Sequence, residues 1–535
     1  MVQSYKKKHQ VADHYDAILI GSGMGCLATG ACLAKAGKKV LLLERHYTAG
    51  GYTHVFKRKG YEWDVGIHYI GEVHRENGVL KQMFDYVSDN QLQWADMGPV
   101  YDRIVIGDKT YDFPKGVTNF KNELKKHFPE ESQAIDRYVD LVFKVSKASR
   151  SYFAEKAVPR YLQKLFGNRM RRPYLEYASR STLSVLQELT SNQELIKVLT
   201  GQYGDYGLPP SQSSFAMHVS IAKHYFQGGY FPIGGSSTII DTIAPVISAA
   251  GGTILTKAEV DQVVVENGKA TGVRLMDGKV FTGDKIISGT GVMNTYQKLL
   301  PEAVVQQFGL EEVLKPLTPS IAHVCLYIGL NGSPKELQLP KANYWIYPGD
   351  LDHDGCVKRF EEDLEQPFPV VYISFPAAKD PSWEERYPGK STIDIITAMP
   401  YAIFKEWEDT PWKKRGKEYE ALKERIAQRL LNELYKKEPQ LQGKVDCYEL
   451  SSPISTQHFM NYAQGELYGI DHNPERYQQR FLQPRTPIKN FYLTGQDIVT
   501  CGVAGALFAG FITASALLNK NIVKEIMTSK KGKAA

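Results

Sequence analysis

The chain has 535 residues, of which 43% are hydrophobic and 23% are charged, values that are typical of globular proteins and allow two or three domains. A net charge of +6 does not indicate a nucleic-acid-binding protein, because such a protein needs a dense basic face. Six cysteines are too few for a disulfide framework, and neither CxxC nor HExxH occurs, so we predict a reducing compartment and no metal site. The polar N-terminus, residues 1–16, does not resemble a secretory signal, and we expect a cytoplasmic location.

The first predicted unit is a strand, a helix and a second strand, at residues 16–20, 26–36 and 39–44. Gly37 ends the helix, and the second strand, KVLLLE, is apolar up to its final acid. Three such elements within about 30 residues form a βαβ unit, in which two parallel strands are joined by a right-handed crossover. This segment therefore predicts the start of a Rossmann-type domain.

A glycine-rich turn, GSGMGC at residues 21–26, joins the first strand to the helix and nearly fits the dinucleotide-binding fingerprint. Gly21 makes the tight turn, and Gly23 allows the backbone to approach a pyrophosphate at the helix N-terminus. Gly25 is a further glycine of this turn, but Cys26 holds the third fingerprint position in place of Gly or Ala. The turn predicts a phosphate site with looser packing of helix on strand.

The second strand ends in Glu44, 23 residues after Gly21, where an acidic side chain accepts the hydroxyls of an adenosine ribose. An acid at this position disfavours the 2′-phosphate of NADP. Arg45 follows directly, and the adjacent glycines Gly50 and Gly51 allow the chain to pass close to a bulky cofactor. These residues extend the predicted dinucleotide site.

The middle of the chain predicts a second α/β segment. A helix is expected at residues 236–250, and a turn at Asn267-Gly268 is expected between two of the strands that follow. The predicted strands are residues 253–255, 258–266, 270–275 and 285–288.

The C-terminal segment predicts a strand at residues 491–494 that runs into Gly495, Asp497 and a glycine-rich helix. An aspartate in this turn can accept hydrogen bonds from a ribityl chain. The uncharged run at residues 498–518 is long enough to span a bilayer, but a span directly after this strand would remove the last strand of the sheet. We therefore predict a buried cofactor helix and keep a transmembrane helix as the alternative.

Together these segments predict an α/β fold with a Rossmann-type FAD-binding domain built from discontinuous parts of the chain and a second α+β substrate domain. The predicted FAD-binding segments are residues 1–75, 235–300 and 485–520, the substrate-domain segments are residues 76–234 and 301–484, and the basic tail is residues 521–535.

Four runs of the sequence resemble the all-trans-retinol 13,14-reductase (retinol saturase) family, which is grouped with the carotenoid isomerases and bacterial phytoene desaturases. The runs lie at residues 21–54, 63–71 (WDVGIHYIG), 224–237 (HYFQGGYFPIGGSS) and 492–510 (YLTGQDIVTCGVAGALFAG). The resemblance implies FAD, a flavin-dependent change in the saturation of a conjugated isoprenoid, and attachment to a membrane.

The same resemblance implies roles for single residues in cofactor binding. Glu44 would hold the ribose, Val260 would bond the adenine through its backbone, and Asp497 would hold the ribityl and phosphate side. The other residues implied to line the cofactor are Arg45, Gly51 and, at the start of the last helix, Val503.

Hydride transfer by a flavin needs an acid or base that handles the proton at the neighbouring carbon. His68 is the first candidate because the segment after the Gly50-Gly51 loop returns towards the cofactor, although a lone histidine is more often a structural residue of the core. The further candidates by residue type are Tyr69, His218, His224, Tyr225, Tyr462 and Glu466.

Residues 156–172 interleave apolar and basic side chains at nearly helical spacing. Such a helix suits peripheral contact with a membrane surface, and the alternative is a helix packed on its own domain with a solvated basic side. The residues concerned are Tyr161, Leu162, Leu165, Phe166 and Met170 on the apolar side, with Arg160, Lys164, Arg169, Arg171 and Arg172 on the basic side.

Two other functions fit the same motifs. The enzyme could work as a desaturase or isomerase of carotenoids, or on an unsaturated fatty acyl chain, because flavin chemistry is reversible. A protein that binds prenyl groups without redox chemistry, like the Rab-escort proteins, has a related fold, but the intact cofactor motifs argue against it. A second glycine fingerprint is missing, so the sequence does not identify the electron donor or acceptor.

Overall fold

The computed structural model describes residues 2–6 and 11–529, and the strands of that part of the chain form two large sheets and two short strand pairs. In chain order the strands are β1 (Val2–Ser4), β2 (His14–Ile20), β3 (Val40–Glu44), β4 (Val55–Arg58), β5 (Tyr61–Asp64), β6 (Trp94–Asp96), β7 (Val100–Ile106), β8 (Lys109–Pro114), β9 (Tyr230–Pro232), β10 (Thr253–Thr256), β11 (Val260–Glu266), β12 (Lys269–Leu275), β13 (Val280–Ser288), β14 (His323–Asn331), β15 (Asn343–Tyr347), β16 (Val371–Ser374), β17 (Lys390–Ala398), β18 (Val445–Ser451) and β19 (Phe491–Leu493).

Helices connect these strands and pack on both large sheets. In chain order the α-helices are α1 (Met24–Lys35), α2 (Val79–Val87), α3 (Val117–His127), α4 (Ser132–Glu155), α5 (Arg160–Ala178), α6 (Thr182–Gln187), α7 (Gln193–Leu199), α8 (Phe215–Tyr225), α9 (Thr238–Ala249), α10 (Val292–Asn294), α11 (Glu302–Gln307), α12 (Leu310–Leu314), α13 (His353–Glu362), α14 (Pro376–Lys379), α15 (Trp383–Arg386), α16 (Lys417–Lys437), α17 (Pro453–Met460), α18 (Pro474–Gln478), α19 (Gly502–Leu518) and α20 (Ile522–Ser529).

The first sheet has the strand order β1-β10-β3-β2-β13-β12-β11, and β19 pairs in parallel with the C-terminal half of β13. The pairs among β10, β3, β2 and β13 are also parallel. β3 is buried along its whole length, because Leu41 and Leu42 point into hydrophobic clusters on opposite faces of the sheet. The predicted Rossmann-type sheet is confirmed, and the carboxyl ends of β2, β3, β13 and β19 lie at one edge.

One predicted strand of this sheet is longer than the sequence suggests. β13 begins at Val280 and not at Lys285, because its first residues pair antiparallel with β12 before the strand continues beside β2. The predicted turn between β11 and β12 is confirmed: Asn267 and Gly268 both have positive φ angles, 49° and 72°, as a tight hairpin turn requires.

The second sheet has the order β18-β14-β17-β16-β15-β7-β8 and is mainly antiparallel. Its strands come from the two stretches predicted as the substrate domain, residues 76–234 and 301–484. Helix α16 packs on one face through Leu430 and Leu434. Asp102 of β7 and Asn343 of β15 are paired in register, and the Asn343 Nδ2 atom donates a hydrogen bond to Asp102 Oδ1 at 2.8 Å.

Helix α19 contains most of the uncharged run at residues 498–518 and lies against α1. A Cβ atom on Gly510 would lie 2.5 Å from the Cβ atom of Ala28, so the two helices are in close contact. Within the described residues no single helix is long and apolar enough to cross a membrane, whereas α19 and α20 together pass by length and composition but meet at an angle of 103°.

The predicted basic tail, residues 521–535, is wrong for its first part. Residues 522–529 form α20, which packs against α2, and Ile522 and Ile526 are buried there because they lie four residues apart on one helix face. Residues 530–535 lie outside the described part of the chain.

Candidate active site

A cleft of about 1490 Å³, including its mouth, lies at the carboxyl ends of the parallel strands of the first sheet. We call it the dinucleotide cleft, and ligands of open parallel sheets bind at this edge. Its lining includes the predicted residues Gly21, Gly23, Gly25, Glu44, Arg45, Gly50, Gly51, Val260 and Val503.

The glycines of this cleft are required by close backbone contacts. A Cβ atom on Gly51 would lie 3.0 Å from the Cα atom of Gly23, and one on Gly25 would lie 2.7 Å from the Cα atom of Gly495. Gly21, Gly50 and Gly51 also have positive φ angles, which favour glycine. The turn predicted from the sequence is therefore a narrow cradle built from backbone.

The N-terminus of α1 opens into this cradle. No side chain caps the helix and its first turn contains no acidic residue, so its first N–H groups are available to an anion. Cys26, the departure from the fingerprint, is accommodated by Gly289, because a Cβ atom there would lie 2.4 Å from the Cys26 Sγ atom. The helix therefore packs closely on the sheet despite the larger side chain.

Glu44 lies at the end of β3 with its carboxylate turned towards the glycine turn. Its Oε2 atom accepts hydrogen bonds from Ser22 N at 3.0 Å and Ser22 Oγ at 2.7 Å, and Oε1 accepts one from His46 N at 2.8 Å. A carboxylate has about four acceptor positions, so capacity remains for a ligand hydroxyl. Ser22, which the sequence analysis did not single out, also accepts a hydrogen bond from Gly50 N and ties the two glycine turns together.

Arg45 lies at the rim of the cleft. Its Nη1 atom donates a hydrogen bond to His458 O at 3.1 Å, and its Nε atom lies 3.3 Å from Glu259 Oε1. Val260 lies at the same end of the cleft, at the start of β11, beside Glu259. The roles implied for Arg45 and Val260 in cofactor binding stay predictions.

Asp497 lies behind the wall of the dinucleotide cleft, whose lining includes its neighbours Gly495 and Gln496. Its carboxylate accepts hydrogen bonds from Val292 N at 2.7 Å and Ile470 N at 3.4 Å, and burial raises its pKa. In this arrangement Asp497 holds two backbone segments behind the cleft. The predicted hydrogen bond to a ribityl chain stays a prediction, and the structure does not place the carboxylate at the cleft surface.

A second cavity of about 1360 Å³, including its openings, adjoins the cleft. We call it the aromatic chamber, because tyrosine and tryptophan side chains form much of its lining, among them Tyr69, Tyr203, Tyr225, Trp345, Tyr372 and Tyr468. The two cavities share Gly66, Leu467, Tyr468, Gly502 and Val503, so the N-terminus of α19 lies at their junction.

His68 lines the aromatic chamber and does not line the dinucleotide cleft, so its predicted approach to the cofactor stays a prediction. Its Nδ1 atom lies 3.5 Å from Asp394 Oδ2, and neither side chain has a hydrogen-bond partner among the described residues. Burial lowers the pKa of His68 to about 3 and raises that of Asp394 well above its usual value. The imidazole is therefore neutral at pH 7, which makes it a weak proton donor.

Tyr69 and Tyr225 also line the chamber, and their rings stack at 4.1 Å. The Tyr69 hydroxyl lies between two acids that the sequence analysis did not single out, Asp102 and Asp205. Asp205 lies in the run GQYGDYG at residues 201–207, and an acid between glycines and aromatic residues is the one local signal that could have identified it.

Two other candidates for proton transfer are held by hydrogen bonds. His218 is bonded to Tyr138 and Tyr206 and does not line either cavity, which makes it a structural residue. His224 lines the chamber, but its Nε2 atom accepts a hydrogen bond from Gly71 N at 2.7 Å.

Tyr462 lines the dinucleotide cleft and accepts a hydrogen bond from Gln496 Nε2. Glu466, predicted as catalytic, lies outside the lining of both cavities, and its Oε2 atom accepts a hydrogen bond from Gln464 N at 2.8 Å. The structure therefore does not bring Glu466 together with His68, Tyr69 and Tyr225.

Comparisons with known proteins agree with this geometry. The flavin containing amine oxidoreductase family matches residues 25–323. The human protein named all-trans-retinol 13,14-reductase is 37% identical over 537 residues, which cover 97% of this chain and 88% of the human one. The chain belongs to the all-trans-retinol 13,14-reductase family.

Other relatives of this family differ in what their names state. A Danio rerio protein named inactive all-trans-retinol 13,14-reductase is 33% identical and covers 99% of this chain, with 90% of its own length covered. An Arabidopsis thaliana protein named prolycopene isomerase, chloroplastic, is 24% identical and covers 95% of this chain, with 84% of its own length covered. Similarity to these proteins therefore does not by itself fix the reaction, which depends on the residues of the site.

Among solved structures, putrescine oxidase bound to putrescine aligns with a TM-score of 0.61 at 13% identity, covering 95% of this chain and 99% of the oxidase. This likeness shows the fold. Together with the family and the glycine cradle it confirms the predicted fold class and the predicted FAD cofactor, and the chain is an FAD-dependent oxidoreductase. The FAD cofactor and the oxidoreductase family argue against the alternative of an escort-type protein without redox chemistry.

Proposed function

We propose that this chain saturates a carbon–carbon double bond of a retinol-like conjugated isoprenoid. The observation that supports the proposal most is that the dinucleotide cleft and the aromatic chamber adjoin, because Gly502 and Val503 line both cavities. Apolar side chains such as Ile67 and Ile221 line the chamber beside the aromatic rings, and such a lining suits a hydrocarbon chain. The name of the human relative supports retinol as the first substrate to test.

The residues of the two cavities have separate tasks in this proposal. Bound FAD supplies the hydride. Gly21, Gly23 and the N-terminus of α1 would hold its pyrophosphate, and Glu44 would accept hydrogen bonds from hydroxyls of its ribose. The aromatic chamber orients the polyene and excludes water, and Val503 lies where polyene and cofactor meet.

Chemically reduced enzyme mixed with all-trans-retinol under anaerobic conditions should give a product whose absorption is shifted to the blue, because saturation shortens the conjugated system. Chemical reduction replaces the natural electron donor. The control is the same protein after removal of FAD, which should leave the retinol spectrum unchanged. Unchanged retinol with the reduced holoenzyme would contradict the proposal.

Two alternatives predict different spectra in the same experiment. A carotenoid desaturase, or an oxidase of unsaturated acyl chains, would give a product of longer conjugation from oxidised enzyme. An isomerase, the activity in the name of the Arabidopsis thaliana relative, would change the geometry of its polyene without net consumption of electrons.

We also propose that α5 makes the peripheral contact with a membrane that the sequence predicts. A lipophilic substrate dissolves in membranes, so an enzyme that acts on it gains from such a contact. Tyr161, Leu165 and Phe166 are 66%, 71% and 52% exposed, which is unusual for large apolar side chains. Lys164 and Arg169 are exposed beside them. Arg171 is a correction to the predicted basic face, because it is buried and donates a hydrogen bond to Tyr477 O at 2.8 Å. The cytoplasmic location stays a prediction.

Replacing Leu165 and Phe166 together by Asp should weaken binding to phosphatidylserine-containing vesicles by about tenfold or more, because burial of one such side chain is worth roughly 1.5–3 kcal/mol. Co-sedimentation measures the bound fraction, and added salt should weaken binding of the unmodified protein because basic residues contribute. The matched control is Met276→Asp, since Met276 is 66% exposed on the other domain. Equal losses in both variants would argue against α5 as the contact.

A further inference from the structure

Three side chains beside the aromatic chamber share one hydrogen-bond network. The Tyr69 Oη atom lies 2.9 Å from Asp102 Oδ2 and 3.0 Å from Asp205 Oδ2. A tyrosine hydroxyl has one proton, so it can donate one strong hydrogen bond and must accept the other. Two ionised carboxylates cannot both be satisfied by it. One of the two acids therefore carries a proton.

The remaining partners of the two acids decide where this proton lies. Asp102 also accepts hydrogen bonds from Asn343 Nδ2 at 2.8 Å and Gln202 Nε2 at 2.7 Å, and such donors stabilise the ionised form. Among the described residues, Tyr69 is the one hydrogen-bond partner of the Asp205 carboxyl group. The proton therefore belongs to Asp205, which donates to Tyr69, which in turn donates to Asp102.

The effect of burial on the pKa values of the two acids agrees with a proton on Asp205. Burial raises the pKa of Asp205 well above its usual value, and the neighbouring charge of Asp102 adds to the effect. Burial also raises the pKa of Asp102, to about 6, while its three hydrogen bonds oppose the rise. Asp102 is thus ionised at neutral pH and Asp205 is neutral.

Asp205 also lies next to the junction of the two cavities. The carbonyl of the preceding residue, Gly204, accepts a hydrogen bond from the Tyr468 hydroxyl at 2.8 Å, and the Asp205 carbonyl lies 3.3 Å from the Cys501 Sγ atom. Tyr468 lines both cavities, and Cys501 precedes the N-terminus of α19. Asp205 and its partner Tyr69 are both lining residues of the aromatic chamber.

We infer that Asp205 is the catalytic acid of the saturation reaction, with Tyr69 as its hydrogen-bond partner and Asp102 as a positioning residue. The inference rests on the proposed function. One carbon of the double bond receives a hydride, with its two electrons, from the reduced flavin. The π electron pair forms the second C–H bond with the Asp205 proton, and the electrons of the broken O–H bond stay on the carboxylate. Tyr69 then donates its hydrogen bond to this carboxylate until a solvent proton replaces the one transferred.

His68, the first candidate from the sequence, lacks such a proton at neutral pH. His68 is the natural comparison for Asp205, because both residues line the aromatic chamber. The two assignments predict opposite results for the variants His68→Gln and Asp205→Asn.

Asp205→Asn should lower the single-turnover rate of chemically reduced enzyme with all-trans-retinol by about 10²–10⁴-fold, the usual contribution of a general acid, with FAD content unchanged. His68→Gln should stay within about tenfold of the unmodified enzyme, because the neutral imidazole makes no hydrogen bond within the described residues and a typical single substitution costs about 1 kcal/mol. The matched control is Asp471→Asn, because burial also raises the pKa of Asp471, to about 7, but this residue lies outside both cavities.

A second readout does not require turnover. The infrared spectrum should contain a carbonyl band of a protonated carboxylic acid that is lost in Asp205→Asn. If this variant fails to fold, Tyr69→Phe replaces it and should shift the same band and slow turnover by about 10–100-fold, since a hydrogen bond to a charged group contributes roughly 1.5–3 kcal/mol.

Absence of an acid band that depends on Asp205 would overturn the inference, whatever the enzyme does with retinol. Loss of turnover in His68→Gln but not in Asp205→Asn would overturn it in favour of His68. If the unmodified reduced enzyme leaves retinol unchanged while the Asp205 band is present, the proposed function fails and the protonation of Asp205 stands.

Discussion

Gly25→Ala should strongly reduce the FAD content of the purified protein. A Cβ atom at this position would lie 2.7 Å from the Cα atom of Gly495, and both residues line the dinucleotide cleft. The contact is between backbones, so the N-terminus of α1 must move away from the turn after β19. Such overpacking costs about 1–3 kcal/mol, and we expect FAD affinity to fall by up to about 100-fold.

Gly30→Ala is the matched control, because it makes the same change five residues later in α1. Its Cβ atom would meet mainly the flexible side chain of Leu42, at 3.2 Å. In a helix Ala is favoured over Gly by about 1 kcal/mol, so neither variant should lose stability from helix propensity. Flavin absorbance per protein and titration of the apoprotein with FAD measure the effect. Equal FAD affinity in the two variants would contradict the claim that the close backbone contact at Gly25 is needed for FAD binding.

Ile221→Trp should prevent access of the polyene to the aromatic chamber while leaving FAD bound. Ile221 lies on α8, is partly exposed to the chamber and does not line the dinucleotide cleft. An indole ring there would fill space needed by the substrate, and misplacement of a substrate by about 1 Å can already cost about 100-fold in rate. We therefore expect turnover of retinol to fall by about 100-fold or more.

Ile221→Val is the control for this variant, since it leaves the chamber open and removes one methylene group at a cost of about 0.5–1.5 kcal/mol in stability. Single-turnover rates with all-trans-retinol and the visible spectrum of the flavin are the two measurements. Normal turnover in Ile221→Trp would place the substrate elsewhere.

The parts of this molecule that the sequence predicts best are those with local patterns. The turn after β2 and the acid at the end of β3 lie within one βαβ unit, where residue spacing alone places Gly21 and Glu44 at the same edge of the sheet. The adjacent pair Asn267-Gly268 lies between two strand-like runs and likewise predicts the hairpin between β11 and β12.

The proton-transfer group was not predictable in this way. Asp102 lies on β7, Asn343 lies on β15, and Asp205 lies in a short 3₁₀ turn between α7 and α8. Pairing of β7 with β15 brings the first two together, and the Tyr69 hydroxyl links Asp102 to Asp205. Such long-range contacts have no local spacing. The sequence made His68 the first candidate and Glu466 a further one, and only the structure shows that His68 lines the aromatic chamber whereas Glu466 lies outside both cavities.

The most direct test of the central claim is an anaerobic titration of chemically reduced holoenzyme with all-trans-retinol, in which flavin reoxidation and loss of the retinol absorption are recorded together. If a flavin in the dinucleotide cleft reduces a polyene in the aromatic chamber, one flavin is reoxidised for each retinol converted to a product of shorter conjugation. Ile221→Trp should then abolish both signals and Ile221→Val should retain both. Conversion of retinol without flavin reoxidation, or flavin reoxidation without a blue-shifted product, would contradict the claim.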